Sequence, residues 1–151
     1  MIAIVDYEAG NLTSVARAIA HLGFPCTVTP GAGEIRRAER VVFPGVGAAG
    51  AAMASLRRAG LDRVLLEVHA AGTPMLGICI GSQVILGSSE ENETACLGIL
   101  PGRVRRFRPA GEEGGVLKIP HMGWNRIALR RPHPLFSGIV PEDEFYFVHS
   151  Y

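Results

Sequence analysis

Four short apolar runs, each closed by a turn and followed by a stretch with helical spacing, fill the first half of this chain. Residues 2–5, IAIV, are apolar and mostly β-branched, which reads as a buried strand. The turn DYEAGN follows. A helix is expected over 12–22, where Leu12, Val15, Ala16, Ile19 and Leu22 recur at three- and four-residue steps. Gly23 and Pro25 end it. CTVTP (26–30) is the next strand, GEIRRA (33–38) a short helix, and RVVFPG (40–45) a third strand running into a Gly-rich turn. Residues 48–71 are Ala- and Leu-rich and helical, with a break near Gly60; TPMLGIC (73–79) is a fourth strand, and GSQVIL (81–86) opens the helix behind it. Strands alternating with helices mean a parallel sheet with helices on both faces, because a parallel neighbour is reached only through a crossover.

From Gly98 the character changes. GRVRRF (102–107), GVLKIP (115–120), NRIALR (125–130) and EFYFVHSY (144–151) read as short strands between Gly and Pro turns, hence an antiparallel or mixed sheet. With no linker, repeat or low-complexity tract, one domain over 1–151 is the simplest account. The chain stops directly after a strand-like segment, so the sequence looks cut at its C-terminal side. A content of 48% hydrophobic and 19% charged residues marks a globular chain, and a net charge of +1 implies neither a nucleic-acid partner nor an acidic tail. Arg103, Arg105, Arg106 and Arg108 read as a solvated strand face. The start, MIAIVDY, has no positively charged leader pattern, and no apolar run reaches the length of a membrane span, so a cytoplasmic protein is expected. Cys26, Cys79 and Cys96 are odd in number and widely spaced, and no CxxC or HxxxH spacing occurs. Neither a disulfide framework nor a metal site is expected, and no cofactor is implied.

The chemistry concentrates at Gly77-Ile78-Cys79-Ile80-Gly81, a G-x-C-x-G pattern where a strand turns sharply into a helix. This is the layout of a nucleophile elbow with cysteine in place of serine. A tight turn holds the nucleophile in a strained backbone conformation, and flanking glycines leave room for it. The amides at the helix start favour a thiolate, and the N–H of Ile80 is expected to point where an oxyanion forms. The competing reading is a buried, inert cysteine between packing glycines. Pro44-Gly45-Val46-Gly47 is a second Gly-rich turn after a strand. Ligands of an open parallel sheet sit at the carboxyl ends of its strands. The two turns are therefore expected on the same side, where Gly45, Val46 and Gly47 supply a second oxyanion donor.

DYEAGNL, PGVG, GICIGSQ, PHMGWN and YFVHSY, in this order, resemble the signatures of the class I (triad-type) glutamine amidotransferases. Among these the chain is most similar to the glutaminase subunits of imidazole glycerol phosphate synthase, which act in histidine biosynthesis. GICIGSQ is shared widely in the class, whereas PHMGWN followed by FVHSY is specific to these subunits. The resemblance runs the length of the chain. It implies a three-layer α/β fold with a mostly parallel central sheet plus an antiparallel or mixed portion, and with its C-terminal part missing here.

The resemblance also implies roles. Cys79 attacks the side-chain amide of glutamine, a glutamyl thioester forms, ammonia leaves, and water releases glutamate. Gly45, Val46, Gly47 and Ile80 form the oxyanion site. Gln83 helps hold the glutamine, and backbone groups of Ser150 and Tyr151 bind its amino-acid end. Asn11, His121, Trp124 and Asn125 face a partner, a barrel-fold cyclase subunit that receives the ammonia and with which the chain forms a heterodimer. Trp124 reads equally well as core filler.

One departure stands out. The catalytic base of the family is a histidine in an HPE-like motif, and no His-x-Glu or His-Pro-Glu occurs in these 151 residues. Without a base the thiolate cannot pass a proton to the leaving ammonia, so the chain as it stands is expected to lack efficient glutaminase activity. His149 matches a family histidine that is not the catalytic one; His21, His69 and His133 read as surface residues, and Cys26 and Cys96 as small core hydrophobes. Two competing readings follow: a non-catalytic glutamine- or cyclase-binding protein lacking the His-Glu pair, and a cysteine-elbow hydrolase of the PfpI type, against which PHMGWN argues.

Overall fold

The computed structural model describes residues 1–108 and 118–151. They form two compact units, Met1–Arg105 and Arg106–Tyr151. The first unit contains β1 (Ile2–Val5), α1 (Leu12–His21), β2 (Cys26–Thr29), α2 (Ala32–Arg37), β3 (Arg40–Phe43), α3 (Ala49–Ala59), α4 (Leu61–Ala70), β4 (Met75–Gly77) and α5 (Ile80–Val84). Its four long-range strands are all parallel, in the order β2-β1-β3-β4. The chain therefore steps from β1 to β2 in one direction, then crosses back over β1 to β3. Right-handed crossovers in opposite directions place α1 and α2 on opposite faces of the sheet, which is the two-faced arrangement expected from the alternation.

The two faces differ in depth. Ala3, Val5, Val41 and Phe43 alternate along their strands toward one face, and they join Ile35 of α2, Met53 and Leu56 of α3, Leu61, Leu65 and Val68 of α4, and Ile80 and Val84 of α5 in one buried cluster. Ile4 and Val42 point to the other face, where α1 lies over β1 and β2 with Leu12, Val15, Ala16 and Ile19 half-buried. Asn11 caps α1, its Oδ1 accepting from the Ser14 N–H at 3.2 Å. Gly60, with φ 68°, is both the stop of α3 and the start of α4, so the break expected there is a left-handed joint between two helices.

Three two-residue strands follow: β5 (Ser88–Ser89), β6 (Thr94–Ala95) and β7 (Arg103–Val104), with a 3₁₀ turn at Glu91–Glu93 between the first two. β5 pairs antiparallel with β6 and parallel with β7, so this sheet is mixed, as expected for the later part of the chain. Only Arg103 and Val104 of the GRVRRF segment are strand, and Arg103 is exposed and paired with Glu93 at 3.0 Å.

The second unit is built on β8 (His121–Arg126) and β9 (Glu144–His149), an antiparallel pair in register from His121↔His149 to Arg126↔Glu144. This corrects the strand expected over 125–130. Ile127 and Leu129 alternate as a strand does, but β9 begins at Glu144, opposite Arg126, so among the described residues those beyond Arg126 have no strand to pair with. Of the strand expected over 115–120, residues 115–117 lie outside the described residues, 118 is irregular, and 119–120 form a bend. Among the described residues no helix is long and apolar enough to cross a membrane.

Candidate functional site

β3 and β4 are neighbours, with Phe43 opposite Gly77 in register. Their following segments, 44–48 and 78–79, therefore leave the same end of the sheet side by side. The segment after β1 joins them, since β1 pairs with β3. In this order the chain reverses its winding between β1 and β3, the kind of crevice where open α/β sheets bind ligands.

Cys79 stands at that end with φ 55° and ψ −118°, a left-handed conformation that a β-carbon opposes. The turn is held by backbone bonds: the Ile78 N–H donates to the Phe43 carbonyl at 3.0 Å, the Gly81 N–H to Ile78 at 3.0 Å, and the Ser82 and Gln83 N–H groups to the Cys79 carbonyl at 3.0 and 3.2 Å. The Ser82 hydroxyl adds a 2.6 Å bond to the same carbonyl. Both flanking glycines are sterically required. A Cβ on Gly77 would fall 2.8 Å from the Ser82 backbone, and one on Gly81 would fall 1.8 Å from the Phe43 carbonyl oxygen. The thiol is exposed, which removes the reading of Cys79 as a buried packing residue. Ile80 is buried and leads α5, so its N–H is among those that a helix start leaves without an intrahelical partner.

Gly45 is buried and Val46 is 54% exposed. Gly47, at φ 87°, sits in open space. Gly45 touches three segments: a Cβ there would lie 2.2 Å from the Tyr7 hydroxyl, 3.1 Å from the Ile80 Cβ and 3.3 Å from the Gly81 nitrogen. The loop expected to carry an oxyanion donor thus packs directly on the first turn behind the cysteine. Its far end is pinned by Glu91, whose carboxylate accepts from the Ala49 N–H at 2.7 Å and caps α3. Gln83 is half-buried in α5, and its Oε1 is buried with no hydrogen-bond partner among the described residues. Cys79, Gly45, Val46, Gly47, Ile80 and Gln83 are therefore gathered at one end of one sheet.

Cys26 and Cys96 are half-buried. Burial pushes the Cys96 thiol up, against a smaller lowering by Arg57. Neither shows an elbow. His21 and His69 both lie in the last turns of their helices and are exposed. Those helix ends feed the strand starts, at the end of the sheet remote from Cys79.

The remaining candidates belong to the second unit. Alternation along β8 and β9 gives the pair two faces. His121, Phe147 and His149 are half-buried on one: His121 stacks on Phe147 at 5.3 Å, its Nδ1 is 3.4 Å from Nε2 of His149, and Phe107 meets His149 edge-on at 4.8 Å. The other face carries Met122 opposite Val148 and Trp124 opposite Tyr146, all more than half exposed, with Trp124 at 67%. Trp124 is therefore not core filler. Asn125 is exposed, and its Oδ1 accepts from the Arg126 N–H at 2.9 Å. The Ser150 carbonyl accepts from the Phe107 N–H at 2.9 Å, and the Tyr151 carbonyl lies 2.9 Å from Nδ1 of His149.

Two residues escaped the sequence reading. Tyr7 falls in the turn and signature DYEAGNL, in which no role attaches to it, and Glu91 in a stretch with no periodicity. The clue to Tyr7 was an aromatic two residues beyond a buried strand; Glu91, 42 positions from the helix it caps, left none.

The chain matches the family model of class-I glutamine amidotransferases over residues 3–151. It is 57% identical to the imidazole glycerol phosphate synthase subunit HisH of Nitratidesulfovibrio vulgaris strain DP4, over all of this chain and 72% of that protein. It is 52% identical to the HisH subunit of Desulfovibrio desulfuricans, over all of this chain and 70% of that protein. A solved glutamine amidotransferase shares the fold, with a TM-score of 0.58 at 17% identity over 70% of this chain and 57% of that one. The parallel sheet, the strained cysteine at its carboxyl edge and these matches lead to one statement: the chain belongs to the class-I glutamine amidotransferases, in the group of HisH subunits of imidazole glycerol phosphate synthase.

Proposed function

We infer that the chain is the glutaminase subunit of an imidazole glycerol phosphate synthase and that Cys79 is its nucleophile. The observation that carries this is the left-handed Cys79 between two glycines that admit no side chain, beside the Gly45 loop. The thiolate attacks the carboxamide carbon of glutamine. The N–H of Ile80 and the amides of the 45–47 loop stabilise the oxyanion as it forms. Collapse of the tetrahedral intermediate breaks the C–N bond and expels ammonia, the nitrogen taking up the proton that the Cys79 thiol gave up on becoming the thiolate, and leaves a γ-glutamyl thioester. Water then attacks the thioester, giving glutamate and the free cysteine. Gln83, with an unpaired buried acceptor, suits a hydrogen-bond donor of the substrate, and the backbone of Ser150 and Tyr151 is assigned to its amino-acid end.

Carrying that proton from the thiol to the leaving nitrogen needs a group that acts first as base and then as acid. Neither His21 nor His69, the two histidines of the first unit, stands near the elbow. The exposed face of β8 and β9 is assigned to the partner. The relatives are named as subunits, and a cyclase that consumes ammonia fits a glutaminase, because ammonia released into water is protonated and lost as a nucleophile.

The test is Cys79→Ala in the native subunit assembled with its cyclase. Glutamine-dependent synthesis is abolished while ammonia-dependent synthesis continues, and labelling by an electrophilic glutamine analogue disappears. Persistent use of glutamine overturns the assignment.

A further inference from the structure

Cys79 keeps a backbone conformation that is costly for any residue with a side chain, and such a conformation persists only where its surroundings over-determine it. Much of what holds it converges on one atom. The Cys79 carbonyl oxygen accepts from the Ser82 N–H at 3.0 Å, from the Gln83 N–H at 3.2 Å and from the Ser82 hydroxyl at 2.6 Å. The first two are backbone bonds that a helix start forms with almost any sequence. The third depends on the residue type, and it is the shortest, at the tight end of the range for a hydroxyl donor. Ser82 is exposed, so core packing does not account for a serine there. Alanine would suit the helix better.

The Cys79 carbonyl is one side of a peptide unit whose other side is the Ile80 N–H. That unit is planar and trans, so its C=O and N–H bonds point in opposite directions and whatever fixes one aims the other. Donors gathered on the Cys79 oxygen therefore turn the Ile80 N–H outward from α5. Among the described residues that N–H has no acceptor. A hydrogen bond to the carbonyl also polarises the amide, which makes its N–H a stronger donor.

Resting on the reading of Cys79 as nucleophile and of the Ile80 N–H as oxyanion donor, we propose that Ser82 is a positioning residue of the glutaminase reaction. Its hydroxyl, bonded to the Cys79 carbonyl, fixes and polarises the peptide whose N–H meets the oxyanion. Ser82 acts through that peptide and not on the sulfur. Formation of the thioester and its hydrolysis both pass through a tetrahedral oxyanion, so both steps draw on the same bond.

Ser82→Ala and Ser82→Thr, in the native subunit assembled with its cyclase, are compared with wild type and Cys79→Ala. In Ser82→Ala the kcat for glutamine hydrolysis falls about fivefold, the factor that one net hydrogen bond represents, with KM little changed. Ser82→Thr keeps a hydroxyl that can reach a carbonyl one turn back, and it recovers most of the rate. Alkylation of Cys79 by iodoacetamide, a displacement that forms no oxyanion, proceeds at the wild-type rate in both variants. The carbonyl carbon resonance of Cys79 moves upfield in Ser82→Ala, because a carbonyl that loses a donor is less polarised. An unchanged kcat, or a threonine variant no faster than the alanine one, overturns the role of the hydroxyl. Alkylation slowed along with hydrolysis overturns it too, since the serine then acts on the sulfur. Those results leave the reading of Cys79 standing. If the wild-type complex hydrolyses no glutamine, or Cys79→Ala still does, that reading itself fails.

Discussion

Gly81 has no room for a side chain, and its obstacle is a carbonyl oxygen of the neighbouring strand, which cannot swing aside as a flexible side chain does. Gly81→Ala is expected to cost about 3 kcal/mol, the upper end of what overpacking costs, read as a lower urea midpoint. Sterics of this kind act within a few residues of Cys79, which is why G-x-C-x-G was legible before any fold was known. Tyr7 was not legible, because its burial is created by Phe43 and Gly45, far along the chain. Tyr7 also makes a pH prediction. A free phenol ionises near 10, and in the fold this one holds its proton to about 12. Between those values the folded protein binds more protons than the unfolded chain, so stability falls as pH rises through that window. Tyr7→Phe removes this part of the decline, measured as the thermal midpoint between pH 9 and pH 12, at roughly the span the two values define.

At the scale of elements, α1 illustrates how one residue serves two ends. Asn11 closes the helix start through the Ser14 N–H and is also assigned to the partner interface. Asn11→Ala is expected to lose about 1 kcal/mol of stability. Asn11→Asp keeps the cap, so a loss of complex affinity in that variant, without loss of stability, reports the interface role alone. The long helices were legible because their apolar residues repeat on one face. The two-residue strands β5 and β6 were not, since two residues cannot display an alternation. Residues 127–130 alternate well and still form no strand, because pairing is decided by where β9 begins and not by local pattern.

For the whole molecule, the first unit holds the assembled elbow and the second an apolar ribbon face of Met122, Trp124, Tyr146 and Val148. Exposed aromatics of this kind are the usual anchors of an interface. Trp124→Ala is expected to weaken the complex with the cyclase by about 2 kcal/mol, roughly thirtyfold in affinity, measured by calorimetric titration, while unfolding of the isolated subunit is unchanged. The parallel sheet, its position early in the chain and the mixed later part were all readable from periodicity. The strand order was not, because nothing in a run of apolar residues says on which side of β1 the next strand is laid.

The groups gathered around the elbow lie between Tyr7 and Gln83, and the ribbon assigned to the partner begins at His121. Translation therefore delivers them in a fixed sequence. At roughly 5–20 residues per second, the ribosome releases the cysteine seconds before the surface assigned to the partner exists. For that interval the exposed thiol of Cys79 has no second subunit to shield it, and the nascent chain meets cellular oxidants with its most reactive atom uncovered.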